Sequence, residues 1–481
     1  MDHEDYREQV ESFVSSGADR HTLGLVYGRR RIGKSTMLEA ITHQRGGFYW
    51  EATRAEPAIQ LARLGEALGA HLGFGRVALD SWQEALAQLL RLGKDRELPI
   101  VLDEFGHLLE ADRSLDSVVA AALGPGGRRG NPGRSRLILC GSAIGMLGSL
   151  TAGQAPLRGR AGMELLMHPH GFRSAARWLG STPSLRLATQ VYAVIGGVVG
   201  YATDMVDHDL PTGTDDFTRW VSRRVLSPAA TLHHEATTLL AEDPTLTGSN
   251  PIIHHSILGA IATGAVTAGT IAKHLGRSVP RIEPALNRLI AAGFVMRLAD
   301  PIRAQRPTYV LTDPFLQFHY AVLEPHAVLL RDRDPHTVWL RRLKPVFDSL
   351  VRGPVFEEQA RTWVRKYADQ ATLGGDPDYI GPSSAVLDGV VRQLDVLVAA
   401  GDHTTTPGER RVLSIGEAKA GEQVGTGRLT DLERARAALG PRAAQAKLLL
   451  FAPEFTPELV EVAGRRADVE LVDLDRLYHG A

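Results

Sequence analysis

Cysteine is nearly absent from this chain: Cys140 stands alone among 481 residues, which excludes a disulfide within the chain and any zinc site built on cysteine pairs. Lysine is scarce as well. Only Lys34, Lys94, Lys273, Lys344, Lys366, Lys419 and Lys447 stand among 54 basic residues, so a lysine here marks a place where a compact ammonium is wanted in preference to a guanidinium. The net charge of -1 excludes a chain-wide attraction to nucleic acid, so any such argument must be local. Long apolar runs are missing too. The longest nearly apolar stretch, residues 191–202, is too short to span a bilayer, and the opening MDHEDYREQV is acidic with no apolar segment of a secretory leader. The expectation is a cytoplasmic chain with no membrane partner. Its 44% hydrophobic and 23% charged residues suit a globular protein of about three domains.

The first informative stretch is LGLVYGRRRIGKS, residues 23–35. An apolar run enters Gly28-Arg29-Arg30-Arg31-Ile32-Gly33-Lys34-Ser35, and Thr36 opens a helical pattern. In the spacing G-x-x-x-x-G-K-[ST], glycines let successive backbone N–H groups turn inward on a triphosphate, the lysine reaches the β and γ oxygens, and the serine offers its hydroxyl to Mg²⁺. The following helix N-terminus adds donors and partial positive charge. Residues 28–36 are therefore expected to bind ATP, with Lys34 also serving catalysis and Ser35 the metal.

A second apolar strand, residues 98–102, ends in Asp103-Glu104. Asp103 is expected to hold Mg²⁺, through water or Ser35, and Glu104 to orient and deprotonate an attacking water, the division of labour of a Walker B element. The strand Leu137–Cys140 ends in Gly141-Ser142, where Ser142 reads either as a γ-phosphate sensor or as a turn serine. The intervening GPGGRRGNPGRSR, residues 124–136, reads as a mobile surface loop with solvated arginines. Arg160 reads as an arginine finger or a surface ion-pair former, and residues 163–167 as a fifth strand. Strands alternating with helices predict a three-layer α/β unit on a mainly parallel sheet.

From residue 182 to 240 the pattern is helical with polar breaks, suiting a lid. Helices are then expected at 254–262, 267–275 and 279–291, followed by strands 294–298 and 308–311 around a loop at 300–306, a helix-turn-helix with a β-wing. Residues 270–310 carry Lys273, Arg277, Arg281, Arg288, Arg297, Arg303 and Arg306 against Glu283 and Asp300, a local net charge of +5. Two readings stand: contact with a DNA backbone, or a packing module.

After residue 334 the composition resets. Glu357 lies on a helical stretch, Asp395 on a strand at 390–398, and Glu417 and Lys419 on a strand at 411–420 beyond the polar loop GDHTTTPGER. Period two places Leu413, Ile415, Glu417 and Lys419 on one face, and a hairpin brings Asp395 to meet them. An Asp followed by Glu-x-Lys is the constellation of restriction-endonuclease-like nucleases. There Asp395 and Glu417 hold Mg²⁺ against a scissile phosphate, Lys419 steadies the attacking water, and Glu357 completes the set.

VYGRRRIGKSTML, LDEF, GSAIGML, PLRGR, GGVVGYA and YVLTDPFLQFHY together resemble the archaeal-type ATPase family of P-loop proteins, in the signal-transduction class of NTPases. Val199 stands where similar proteins tend to carry proline. The resemblance implies a P-loop NTPase core (1–180), a helical lid (181–249), a winged helix (250–333) and a C-terminal PD-(D/E)xK nuclease-like α/β domain (334–481). The function expected is an ATP-hydrolysing switch coupled to a Mg²⁺-dependent nuclease. The alternative is a nucleotide-gated DNA-binding or scaffolding regulator whose C-terminal domain does not cut. ATP, Mg²⁺ and DNA are the expected ligands, with room for an oligomer.

Overall fold

The computed structural model describes residues 3–178, 184–248, 251–421 and 423–481, so the expected boundaries at 180/181 and 249/250 lie outside the described residues. The N-terminal unit is built on five parallel strands: β1 (Thr22–Gly28), β2 (Phe48–Glu51), β3 (Leu98–Asp103), β4 (Ser135–Gly141) and β5 (Ala161–Met167), in the order β2-β3-β4-β1-β5. Alternation along the strands explains the layers. Leu23, Leu25, Ile100, Leu102, Leu137 and Leu139 pack into one core, and Val26, Val101, Ile138, Cys140 and Leu165 into another on the opposite face. Helices cover both faces.

The stretch 124–136 differs from its expectation. Residues Pro125–Gly130 form a short helix, and Ser135 and Arg136 already belong to β4. Arg136 is fully buried. Its guanidinium meets Glu97 at 2.9 Å and donates to the carbonyls of Ala18, Arg20 and Arg134. A glycine- and proline-rich composition hides this arginine because its partners are distant in sequence. Arg160 donates to the carbonyls of Ala120 and Pro156.

Helices Pro251–Ala262, Ala268–His274 and Val279–Ala291 precede an antiparallel hairpin, β6 (Val295–Asp300) and β7 (Arg303–Leu311), whose turn is shorter than the expected loop. Thr267 caps the second helix through a reciprocal capping box with Thr270, the local reason it starts there. Lys273, Arg277, Arg281, Arg297 and Arg306 are exposed. The hairpin tip is not free: Ile302 packs into the C-terminal core, Asp300 accepts a hydrogen bond from Ser383 at 2.9 Å, Arg303 bonds Ser384, and Arg410 donates to the Pro301 carbonyl at 2.8 Å.

The C-terminal sheet has β8 (Tyr379–Leu387), β9 (Val390–Ala400), β10 (Arg411–Ala418), β12 (Lys447–Phe451) and β14 (Val469–Val472), in the order β14-β12-β10-β9-β8; the short β11 (Gln423–Val424) and β13 (Glu454–Phe455) pair separately. β8, β9 and β10 are antiparallel neighbours, and β12 and β14 run parallel to β10. The start expected at 334 meets a difference. Val338, Trp339, Leu343, Phe347, Val351 and Val355 pack into the same core as the helices before the hairpin, and from Phe356 onward the chain contributes to a different core, which also takes in Phe172. No helix among the described residues is long and apolar enough to cross a membrane.

Candidate functional site

The glycine loop leaves β1, which lies between β4 and β5, and enters the helix Lys34–Gln44. Gly33 caps that helix with φ of 94°, a left-handed conformation that favours glycine. Arg31 is also left-handed, at φ 64°. The loop is held from outside. Arg29, buried, pairs with Asp313 at 2.6 Å; Arg31 meets Asp204 and Glu235, each at 3.4 Å; and the Gly200 amide donates to the Arg31 carbonyl at 3.0 Å. Arg30 and Thr36 are exposed, and Ile32 is fully buried.

Lys34 is buried and its ammonium donates to the Arg29 carbonyl at 2.8 Å, so the loop closes on its own lysine. Burial lowers the pKa of that ammonium, and the nearby charges of Glu104 and Asp103 offset part of the effect. Asp103, at the end of β3, is fully buried. Burial acts to raise its pKa, but hydrogen bonds from Cys140, Ser35 and Tyr49 and from the Glu104 amide outweigh it and hold the carboxylate below its ordinary range. The Tyr49 hydroxyl donates to Asp103 Oδ2 at 2.6 Å. Glu104 stands at φ 49°, a strained conformation for a side chain of this size. Its Oε2 accepts from the Ser142 hydroxyl at 3.2 Å.

The structure thus brings together Lys34, Ser35, Asp103, Glu104 and Ser142. It adds three residues that the sequence pattern did not select: Tyr49, Cys140 and Asp313. Asp313 had a signal in the T-D-P order before a helix, where it caps Pro314–Phe318 by accepting from the Phe315 amide at 2.9 Å.

The second cluster forms where the helix Gly353–Lys366 crosses β9 and β10. Lys419 Nζ lies 2.6 Å from Glu417 Oε1 and 4.0 Å from Asp395 Oδ2, and Asp395 accepts from the Ala418 amide at 2.8 Å. Lys419 sits just beyond β10, tied by its amide to the Phe451 carbonyl at 2.9 Å. Leu413 does not share the face of Ile415: a register shift between Val412 and Ser414 turns it into the opposite core, which corrects the period-two reading at that position. Burial, then the Asp395 charge, raise Glu357 to about 8; burial, then the Glu417 charge, raise Asp395 to about 6. Arg361, buried and unpredicted, donates to the Asp395 carbonyl at 2.8 Å and to Glu358 at 2.8 Å, and lies 3.9 Å from Glu357.

Among the described residues, no group of three or more His, Cys, Asp or Glu side chains stands assembled for a metal ion. The donor chemistry nevertheless fits Mg²⁺ in both places. Ser35 and a carboxylate kept ionised at Asp103 are hard oxygen donors, and the mutual repulsion of Glu357, Asp395 and Glu417 is relieved by a cation.

The parallel sheet order, with a glycine loop between β1 and the next helix, defines an α/β core of the P-loop type. No family model matches the chain. An uncharacterised protein of Methanocaldococcus jannaschii is 23% identical over 306 residues, 63% of this chain, and the match spans 64% of that relative's length. Among solved structures, the chain is similar to the Walker-type ATPase of Pyrococcus abyssi, at 19% identity, with a TM-score of 0.47 over 67% of this chain and 96% of the other. It is also similar to the ORC2 protein of Aeropyrum pernix in its ADPNP–ADP complexes, at 16% identity, with a TM-score of 0.45 over 68% and 93%.

Proposed function

We propose that this protein is a switch that binds and hydrolyses ATP and carries a Mg²⁺-dependent nuclease centre in its C-terminal unit. The observation that supports the reading best is the gathering of Lys34, Ser35, Asp103, Glu104 and Ser142 around the loop at the end of β1, β3 and β4. In this reading Lys34 leaves the Arg29 carbonyl for the β and γ oxygens of ATP, Glu104 orients the attacking water and takes its proton, and Ser142 positions Glu104. Ser35 and Asp103 would hold Mg²⁺, which when bound neutralises phosphate charge. The segment 250–333 is taken as a winged helix and the C-terminal unit as PD-(D/E)xK nuclease-like, with Asp395, Glu417 and Glu357 as its carboxylates. Lys419 stabilises the charge that develops on the phosphate.

A second reading, a nucleotide-gated DNA-binding regulator that does not cut, draws on Lys273, Arg277 and Arg281. These stay exposed on the helices before the hairpin while the hairpin tip is tied down. Incubating single- and double-stranded DNA and RNA with Mg²⁺ or Mn²⁺, with and without ATP, separates the two. Cleavage that disappears in Asp395→Ala supports the nuclease, whereas ATP-dependent retention of intact DNA supports the regulator.

A further inference from the structure

Glu357 and Lys419 of the carboxylate cluster line a cleft of about 770 Å³. One wall is Ala418 to Gly421 at the end of β10, and Glu357 lies between the walls. The other wall is the helical arm 339–352, which presents residues one turn apart: Leu340, Lys344, Asp348 and Arg352, with Ser349 beside them. Leu340 is 53% exposed there, an apolar side chain facing the opening. Lys344 and Arg352 share Asp348, at 2.9 Å and 3.3 Å, so one carboxylate serves two cations and positive charge is left over on this wall. Arg352 lies across Gly421, where a Cβ would collide with its guanidinium; the glycine lets the arginine cross to the wall that holds Lys419.

We infer that this cleft receives a single polynucleotide strand, its phosphates passing Lys344 and Arg352 toward Lys419, and that it excludes a duplex. Sites for ligands of drug size, comparable to a nucleotide, run roughly 300–1,000 Å³, so the cleft holds one or two nucleotides. A duplex, whose paired bases and two backbones flank grooves about 12 and 6 Å wide, is much larger than a space for one or two nucleotides and does not enter it. Cationic side chains that track a backbone are one feature of sequence-tolerant single-strand binding, the other being aromatic platforms for the bases, in whose place this cleft offers only the apolar Leu340. Among the described residues no aromatic side chain lines the cleft, so affinity comes mainly from phosphate contacts and falls with salt. The identification of the strand as a substrate rests on the nuclease reading; the binding itself does not.

The test is fluorescence anisotropy of the full-length protein with a short labelled oligonucleotide in EDTA, as single-stranded DNA, single-stranded RNA and blunt DNA duplex. Single strands of at least one sugar type are expected to bind about tenfold or more tighter than the duplex. Lys344→Glu, at a side chain 52% exposed and therefore safe for folding, is expected to weaken that binding about tenfold, Arg352→Gln to act in the same direction, and Arg465→Glu, at an exposed arginine outside the cleft lining, to leave the single-strand preference intact. Equal or tighter duplex binding, no single-strand binding, or binding indifferent to Lys344→Glu overturns the inference. A protein that prefers single strands yet leaves them uncut with Mg²⁺ or Mn²⁺ ends the nuclease reading and keeps this one. Cleavage confined to duplexes and unchanged in Lys344→Glu does the reverse.

Discussion

Arg29 Nη1 and Asp313 Oδ2 stand 2.6 Å apart although 284 residues separate them, and both side chains are almost wholly buried. The pair joins the glycine loop to the segment that follows β7. Tyr201 adds a hydroxyl 3.4 Å from the guanidinium, which also lies 5.5 Å from the Phe294 ring centroid. Because β7 begins beside the hairpin tip docked on β8, the same hairpin touches the C-terminal sheet at one end and leads to the loop's partner at the other. This gives the proposed switch a physical link between nucleotide and C-terminal cluster.

Removing one member of a buried ion pair leaves the other charge uncompensated, at a cost of about 3–5 kcal/mol. Asp313→Leu is therefore expected to lower the denaturant midpoint substantially, and Arg29→Met with Asp313→Leu to recover most of the loss. A single Asp313→Leu variant as stable as the wild type would contradict the assignment.

In the C-terminal cluster, crowding of carboxylates predicts a trade of stability against function. Asp395→Asn removes a charge that raises Glu357 and should stabilise the metal-free protein at neutral pH by about 1 kcal/mol. Mg²⁺ should raise the melting temperature of the wild type, and the part of that increase due to this cluster should vanish in Asp395→Asn. Calorimetry with and without Mg²⁺ reads both effects.

Much of this was legible in the residues. The loop, the acids after β3 and the Glu-x-Lys pair lie within short motifs whose spacing carries their geometry, and β9 and β10 stand out as apolar runs on either side of a polar loop, whereas β8, with Gly381-Pro382-Ser383-Ser384 inside it, carries no such run. What was hidden depends on distant partners. The composition around Arg136 signals a loop, yet Glu97 and three carbonyls make it a core residue. The bulge at Leu413 is set by pairing with β9, which the alternation of β10 alone does not reveal. The arm 339–352 is amphipathic on both accounts: its apolar side fills the preceding core and its polar side walls the cleft, so no composition shift marks where it belongs.

A buried histidine predicts acid sensitivity. Burial, then the charges of His233, His255 and His234, lower His319 to about 3 from its ordinary 6.5. The unfolded chain takes up this proton below about pH 6.5 and the folded protein does not until about pH 3, so stability is full above pH 6.5 and falls as pH drops through that window. The loss from this group is about 2 kcal/mol at pH 5. In His319→Phe the fall in urea midpoint between pH 7 and pH 5 should be visibly shallower; an identical slope would contradict the attribution.

ATP turnover in Glu104→Gln, measured beside ATP binding by the same protein, tests the central claim most directly. The amide keeps the shape of Glu104 but cannot take the proton of an attacking water, and loss of a general base costs about 10²–10⁴ in rate. The account predicts nucleotide binding retained and hydrolysis reduced by at least about a hundredfold. Hydrolysis at the wild-type rate in this variant, and again in Lys34→Ala, would contradict it.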